Sequence, residues 1–157
     1  MALKANFDIN TVRKAGEAMV AKVDKAIIRR LAYIGTECVN YARNQERTGA
    51  WNDVTGNLRS SVGFVIYKDG QNVFSSDFEP EAGGTEGTGT GKTLAQGIAM
   101  RYKSGYVLVV VAGMNYAVNV ESRGRDVLTG ATRMAEDQLP EMLRQLTENV
   151  QSAISQQ

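Results

Sequence analysis

The chain has 157 residues, of which 43% are hydrophobic and 22% charged, and its formal net charge is +1. This composition is typical of one ordinary globular domain, and the near-neutral balance gives no overall electrostatic reason to expect DNA or membrane binding. The chain has no histidine, which removes the usual general base, the Ser-His-Asp triad and most transition-metal sites. We therefore expect a single domain over residues 1–157 that is not an enzyme and takes no cofactor, metal or small-molecule substrate.

Cysteine content and hydropathy exclude further classes. Cys38 is the only cysteine, so no intramolecular disulfide forms, and its place on an apolar stripe favours a small core residue. No run approaches the roughly 18 apolar residues of a membrane helix, and Met1 to Asp8 lack an apolar core of signal-peptide length. We expect a protein made and kept in the cytoplasm, with no membrane partner.

The first predicted element is a long amphipathic helix. Apolar residues recur at steps of three and four from Val12 to Ala42, which is typical of one helical stripe. With an N-cap at Asn10 or Thr11 and an end near Glu46, the helix would be roughly 50 Å long. A core of this size cannot cover that length, so we expect part of the stripe to be free for a neighbour.

Three strands are predicted. One runs from about Ser60 to Lys68, turns at Asp69-Gly70 and returns over Asn72 to Phe78 as a hairpin. The third, Val107 to Ala112, consists of six apolar and mostly β-branched residues between two glycines. Such a run is typical of a strand buried on both faces, and we expect it at the centre of the sheet.

The stretch 79–92 is rich in glycine, threonine and glutamate, and it offers little apolar surface to bury. We predict a flexible Gly-rich loop there, followed by a short helix over Leu94 to Tyr102. Residues 87–93, at the end of this stretch, are similar to a nucleotide-binding P-loop. A P-loop needs a glycine at the position where this chain has Glu86. A P-loop also follows directly on a buried strand, whereas the polar residues 79–83 precede this segment, so we reject a nucleotide hydrolase acting through Lys92.

The C-terminal part predicts a second amphipathic helix from about Thr129, and 115–122 predicts either a helical turn or a bent strand. Pro140 either interrupts the C-terminal helix or lies near the start of a second segment. Residues 151–157 are expected to fray as a polar tail. Together the elements predict an α+β domain, in which the two long helices pack on a small, mainly antiparallel sheet with a Gly-rich inserted loop.

Two segments carry a resemblance to a known family. Residues 55–62 match the pattern T-G-x-L-R-x-S-hydrophobic, after a long N-terminal helix. A strand then leads into G-x-x-Y-A-x-x-V-E-x-x-G, and a segment over 127–135 closes the pattern. The second motif is formed by Gly113, Tyr116, Ala117, Val120, Glu121 and Gly124. In these motifs and their order the chain resembles the head–tail joining, or tail-completion, proteins (neck, minor tail) of long-tailed phages.

The resemblance implies a structural virion protein, a ring-forming subunit of the neck that joins the DNA-filled head to the tail. It implies a homo-oligomer of six or twelve copies that contacts other neck or tail proteins and meets DNA only indirectly. The protein would be found in the virion neck or tail, and in the host cytoplasm during assembly.

The expected assembly surface combines the outer face of the long helix, the 79–92 loop and two motif turns. Its residues are Trp51, Thr55, Arg59, Tyr116, Glu121, Arg123 and Arg125. We expect Arg59 and Glu121 to form ion pairs with a neighbouring subunit or, alternatively, an internal pair or a capping bond. The alternative function is a nucleic-acid-associated accessory protein, which would bind through Arg29, Arg30, Arg123 and Arg125.

Overall fold

A computed structural model describes residues 8–44 and 52–155 and places them in three layers. The two long helices form the first layer, an antiparallel sheet the second and one helix the third. The elements are α1 (Ile9–Arg43), α2 (Asn57–Ser60), β1 (Val62–Lys68), β2 (Gln71–Ser75), α3 (Thr85–Ala99), β3 (Tyr106–Ala112), α4 (Ala117–Ser122) and α5 (Thr129–Ser155). The strand order is β2-β1-β3. The predicted α+β class, with α1 and α5 side by side on a small antiparallel sheet, is confirmed.

The central strand is β1, not β3. Every residue from Val62 to Tyr67 is buried, whereas most of β3 is only half-buried. The prediction that Val107 to Ala112 is the central strand is therefore wrong, although the segment is a strand. An apolar run indicates that both faces of a strand are covered. It does not indicate whether both edges of that strand pair with neighbouring strands.

Alternation along β1 builds two cores. Phe64 and Ile66 face α1 and α5, where they pack with Leu31 and Ile34. Val65 and Tyr67 face α3 on the opposite side of the sheet. Successive strand side chains point to opposite faces, so one central strand serves both helix layers.

α1 begins two or three residues earlier than predicted. The N-cap is Asp8 rather than Asn10 or Thr11, because the Asp8 carboxylate accepts a hydrogen bond from the Asn10 N–H at 3.0 Å. The helix ends at Arg43, and the predicted end near Glu46 lies outside the described residues. All of its buried residues lie from Leu31 onward. Its first half has no fully buried residue, although Met19 and Val23 line a groove with Leu146 and Val150 of α5.

Hydrogen bonds to Asp24 connect α1 to one end of the sheet. Its carboxylate accepts hydrogen bonds from the Lys68 ammonium and the Tyr106 hydroxyl, at the end of β1 and the start of β3. The hydrogen bond from Lys68 is the main reason that the pKa of Asp24 lies below its ordinary value. The half of α1 before this contact extends beyond the sheet.

Cys38 is a core residue, as predicted, and the structure places its thiol between the two long helices. The side chain is buried, and its Sγ donates to the Ala131 carbonyl at 3.5 Å. Burial raises the pKa of the thiol, because a thiolate would lose its hydration there.

The predicted flexible loop over 79–92 is wrong from Thr85 onward, where the chain is helical as α3. Its buried residues Gly87, Gly91, Ala95 and Ala99 recur every four positions and form one small-residue face. A Cβ at Gly87 would lie 2.0 Å from the Asn57 carbonyl oxygen, and one at Gly91 would lie 2.3 Å from that of Ser61. The glycines therefore allow close backbone packing, which offsets their cost of about 1 kcal/mol each in a helix.

α3 also contains the P-loop-like residues 87–93, so their backbone is helical throughout instead of forming a phosphate-binding loop. The short helix predicted over Leu94 to Tyr102 is the second half of α3, which ends at Ala99.

The remaining elements follow the sequence more closely. The Asp69-Gly70 turn of the hairpin is confirmed, with φ of 51° and 79°, although β2 ends at Ser75. The segment 115–122 takes the helical alternative as α4. α5 is a single helix that contains Pro140, and it extends through Ser155. The predicted frayed tail is wrong over 151–155, and residues 156–157 lie outside the described part.

Alanine substitutions at two glycines of α3 test the close packing. Gly91→Ala places a methyl group against the Ser61 carbonyl, and we expect the free energy of unfolding to fall by about 1–3 kcal/mol. Gly89→Ala is the control, since a Cβ there meets nothing within 4 Å, and we expect a rise of up to about 1 kcal/mol. Urea denaturation of both variants measures the difference. Equal effects at the two positions would contradict a packed helix face.

Candidate assembly surface

The two motif segments of the sequence meet in space. Leu58, in the middle of the first motif, is buried in one cluster with Ala117 of the second motif and with Val127. Val120 packs against this cluster. α2 and α4, far apart in the chain, are therefore joined through the apolar residues of their motifs.

A backbone contact strengthens this junction. The Gly113 N–H donates to the Ser61 carbonyl at 3.2 Å, which links the end of β3 to the start of β1. A Cβ at Gly113 would lie 2.5 Å from the Cα of Gly91, so α3 approaches the same point. Only glycine permits three backbone segments to come this close.

The serines of the first motif satisfy buried backbone groups. Ser60 Oγ donates to the Gly56 carbonyl at 2.7 Å and accepts from the Glu81 N–H at 2.7 Å. Ser61 Oγ donates to the Leu58 carbonyl at 2.7 Å. Gly56 has a φ of 73°, which favours glycine at this position. These motif residues therefore shape the turn that presents Thr55, which is exposed.

Of the alternatives considered for Glu121, namely an ion pair with a neighbouring subunit, an internal pair or a capping bond, the structure shows the capping bond. Its Oε1 accepts hydrogen bonds from the Thr129 N–H at 2.9 Å, the Thr129 hydroxyl at 2.6 Å and the Leu128 N–H at 3.3 Å. Partial burial raises the pKa of Glu121, but the hydrogen bonds from Thr129, Leu128 and Val127 outweigh it, so the pKa lies below its ordinary value. A carboxylate at a helix N-terminus is also favoured by the helix dipole.

Arg59 is also held within the domain. Its side chain is 4% exposed, and its Nε donates to the Arg43 carbonyl at 3.3 Å, at the end of α1. Its backbone N–H donates to the Asp53 carboxylate at 2.7 Å. In this conformation Arg59 joins α2 to α1 rather than facing a neighbour. Trp51 lies outside the described residues.

Exposed residues within the second motif and directly after it form what we call the α4 surface, namely Tyr116, Val118, Arg123 and Arg125. Val118 is 73% exposed. Sequence reasoning missed it, although a helix with Ala117 and Val120 on its inner face places Val118 on the outer face.

Asp126 is a second residue that the prediction missed. Its carboxylate accepts from the Gly130 N–H at 3.0 Å and from the Tyr41 hydroxyl at 3.0 Å, so it caps α5 and connects that helix to α1. An aspartate just ahead of a predicted helix start is a recognised capping signal and would have identified it.

The four arginines of the alternative function do not form one basic patch. Arg30 donates to Gln145 at 3.2 Å, and both Arg29 and Arg30 line a groove that also contains Asp137 and Glu141. Arg123 and Arg125 precede α5, and the helix from Thr129 to Gln145 is about 24 Å long at 1.5 Å per residue. Acidic neighbours and this separation disfavour a shared phosphate-binding surface.

Comparison of the chain with protein-family models, with curated proteins and with solved structures finds no match. Among the helices of the described part, none has the length and apolar character that spanning a membrane requires. Within residues 8–44 and 52–155, no group of three or more His, Cys, Asp or Glu residues is placed to hold a metal ion.

The capping role of Glu121 predicts a pH-dependent stability difference. Glu121→Ala removes acceptors for three donors, and we expect it to lower the free energy of unfolding by about 1 kcal/mol at pH 7. Because the folded-state pKa of Glu121 is lowered, its contribution is present above the ordinary value of 4.5 and is lost as the pH falls through the folded pKa.

Thermal unfolding of the wild type and the variant at pH 7 and at pH 3 measures this effect. The two melting temperatures should differ at pH 7, and the difference should be smaller at pH 3, because the pKa of Glu121 is lowered from 4.5 in the folded state and the carboxylate becomes protonated as the pH falls. Glu136→Gln, which alters an exposed carboxylate of α5, the helix that Glu121 caps, is the control. A difference that does not depend on pH would contradict a role of the ionised carboxylate.

Proposed function

We propose that the chain is a ring-forming structural subunit of the neck of a long-tailed phage, where it joins the DNA-filled head to the tail. The observation that carries this proposal is the contact between the two motif segments, in which Leu58 packs with Ala117 and Val127. Two short matches that arose by chance have no reason to meet in one buried cluster. A shared cluster is what a common ancestral fold would produce.

The length of α1 supports an assembling protein. Apolar residues of its first half are exposed, including Val12 and Val20, and this half extends past the sheet. Exposed apolar surface on a helix of this length is suited to burial against another subunit.

Charge supports contact between the helices of neighbouring copies. Residues 9–30 carry six basic and two acidic side chains, whereas α5 carries two basic and four acidic ones. The first half of α1 is therefore positive and α5 is negative. Contact of α1 in one copy with α5 in the next is a heterologous interface, the kind that closes into a ring.

Electron microscopy of lysates from a phage that lacks this gene tests the function. We expect separate DNA-filled heads and finished tails, because the joint between them would be missing. Normal, infectious, tailed particles would overturn the proposal. A plasmid that supplies the wild-type chain should restore joined particles.

Substitutions on exposed residues test the surfaces. Val20→Asp changes a side chain that is 61% exposed on α1, and Val118→Asp changes the α4 surface. We expect both variants to keep the wild-type melting temperature, because neither side chain is in the core, but to restore infectious particles at least about tenfold less well, since each places a charge at an apolar contact.

Leu94→Asp is the matched control, because Leu94 is an exposed apolar residue of α3, on the other side of the sheet from α1. We expect this variant to restore infectious particles as well as the wild type. Full complementation by Val20→Asp would remove α1 from the assembly surface, and full complementation by Val118→Asp would remove the α4 surface.

A further inference from the structure

Among the described residues, one edge of the sheet has backbone groups without a partner strand. Just outside β3, the Gly105 carbonyl accepts from the Asp69 N–H at 2.9 Å and the Gly113 N–H donates to the Ser61 carbonyl at 3.2 Å. The β1–β3 register is unbroken between these points. In an antiparallel pair alternate residues exchange backbone hydrogen bonds, so it is the odd-numbered residues of β3 that hydrogen-bond to β1. The backbone groups of Tyr106, Leu108, Val110 and Ala112 therefore point outward, and no strand of the described chain lies beside them.

The two edges of the sheet differ in protection. β2 is five residues long, its register shifts beside Ile66 and Tyr67, and the Asn72 side chain donates to the Phe74 carbonyl within the strand. β3 has seven residues, no charge, no proline and no register shift. Proteins normally shorten, bend or charge an exposed edge, and β3 has none of these features.

The helix layer extends past this edge. α1 lies over the central strand, where Gly35 packs against the ring of Phe64. α5 lies beside α1 on the β3 side, and packed helices are about 8–10 Å apart, which is close to two strand spacings of about 4.8 Å. Counted from β1, the second strand position on that side is one beyond β3. α5 therefore covers the place of a fourth strand that the described chain does not supply.

An apolar groove of about 460 Å³ lies between β3 and α5, and Ile27, Leu31 and Ile34 of α1 also line it. Tyr106 and Leu108 of β3 form one wall, and Leu139 and Leu143 of α5 form the other. The two leucines of α5 are 40% and 49% exposed, which is high for residues on the apolar face of a core helix. Glu136 is the acidic residue among those that line the groove.

We propose that the outer edge of β3 and this groove accept one extended segment of another protein chain. The backbone of the segment pairs with Tyr106 to Ala112, and its apolar side chains at alternate positions fill the groove beneath Leu139 and Leu143. Antiparallel pairing with the β3 edge of a second copy is excluded, since it would bring both α5 helices into the same space on one face of the sheet. The inference rests on the sheet edge and the groove and does not depend on the neck assignment.

Amide hydrogen exchange of the purified full chain tests the free edge. In the free protein we expect slow exchange at Val107, Val109 and Val111, which bond to β1, and faster exchange at Leu108 and Val110. Slow exchange at the latter two in dilute free protein would overturn the proposal. Protection that increases with protein concentration would also overturn it, because a second copy would then cover the edge.

A synthetic peptide tests the site directly. The probe is a nine-residue peptide of alternating valine and threonine with a lysine at each end, which suits the alternating contacts and the nearby Glu136. We expect it to slow exchange at Leu108 and Val110 at least about tenfold, as new backbone hydrogen bonds form. The same peptide with N-methyl groups on alternate backbone nitrogens should not do so. Binding without this protection would overturn the proposal.

Variants of α5 locate the peptide in the groove. Leu139→Glu and Leu143→Glu each place a carboxylate in the apolar wall, and we expect the dissociation constant for the peptide to rise at least about tenfold. Leu94→Glu changes an exposed leucine of α3, on the other side of the sheet from the groove, and should leave the affinity unchanged. Circular dichroism confirms that each variant is folded. Unchanged affinity in both α5 variants would exclude the groove from the site.

Discussion

The fold depends on the close approach of the α3 backbone to the junction of β1, β3 and α2. Gly91 lies against both the Ser61 carbonyl and Gly113, and Gly87 lies against the Asn57 carbonyl. Any side chain at these positions would separate α3 from the sheet and displace the start of β1. The same contacts hold the two motif segments together, so the glycines of α3 indirectly shape the α4 surface.

The amino-acid pattern predicts the elements that bury one continuous apolar stripe. α1, α5 and the β1–β2 hairpin follow from periodicity and from the Asp69-Gly70 turn. The pattern fails for α3, because glycine-rich composition is usually a sign of flexibility. What distinguishes α3 is the four-residue spacing of Gly87, Gly91, Ala95 and Ala99, which a count of glycines does not reveal. Whether β1 or β3 is central depends on pairing between distant segments, and local hydrophobicity does not encode it.

The motif residues divide into internal and exposed sets. Glu121 caps α5 and Arg59 bonds to the end of α1, whereas Thr55, Tyr116 and Arg123 face outward. A sequence motif marks positions of restricted chemistry, and a buried cap restricts chemistry as strongly as an interface does. The structure is needed to distinguish the two roles. Arg59 looks like a surface cation in the sequence but is almost fully buried.

The environment of Cys38 has a practical consequence for studying this protein. Its thiol is buried between α1 and α5, and its raised pKa leaves little reactive thiolate at neutral pH. A cysteine introduced at an exposed position would therefore react with maleimide probes much faster than the natural one. The wild-type chain is a suitable background for attaching a single fluorophore or spin label, without first replacing a core residue.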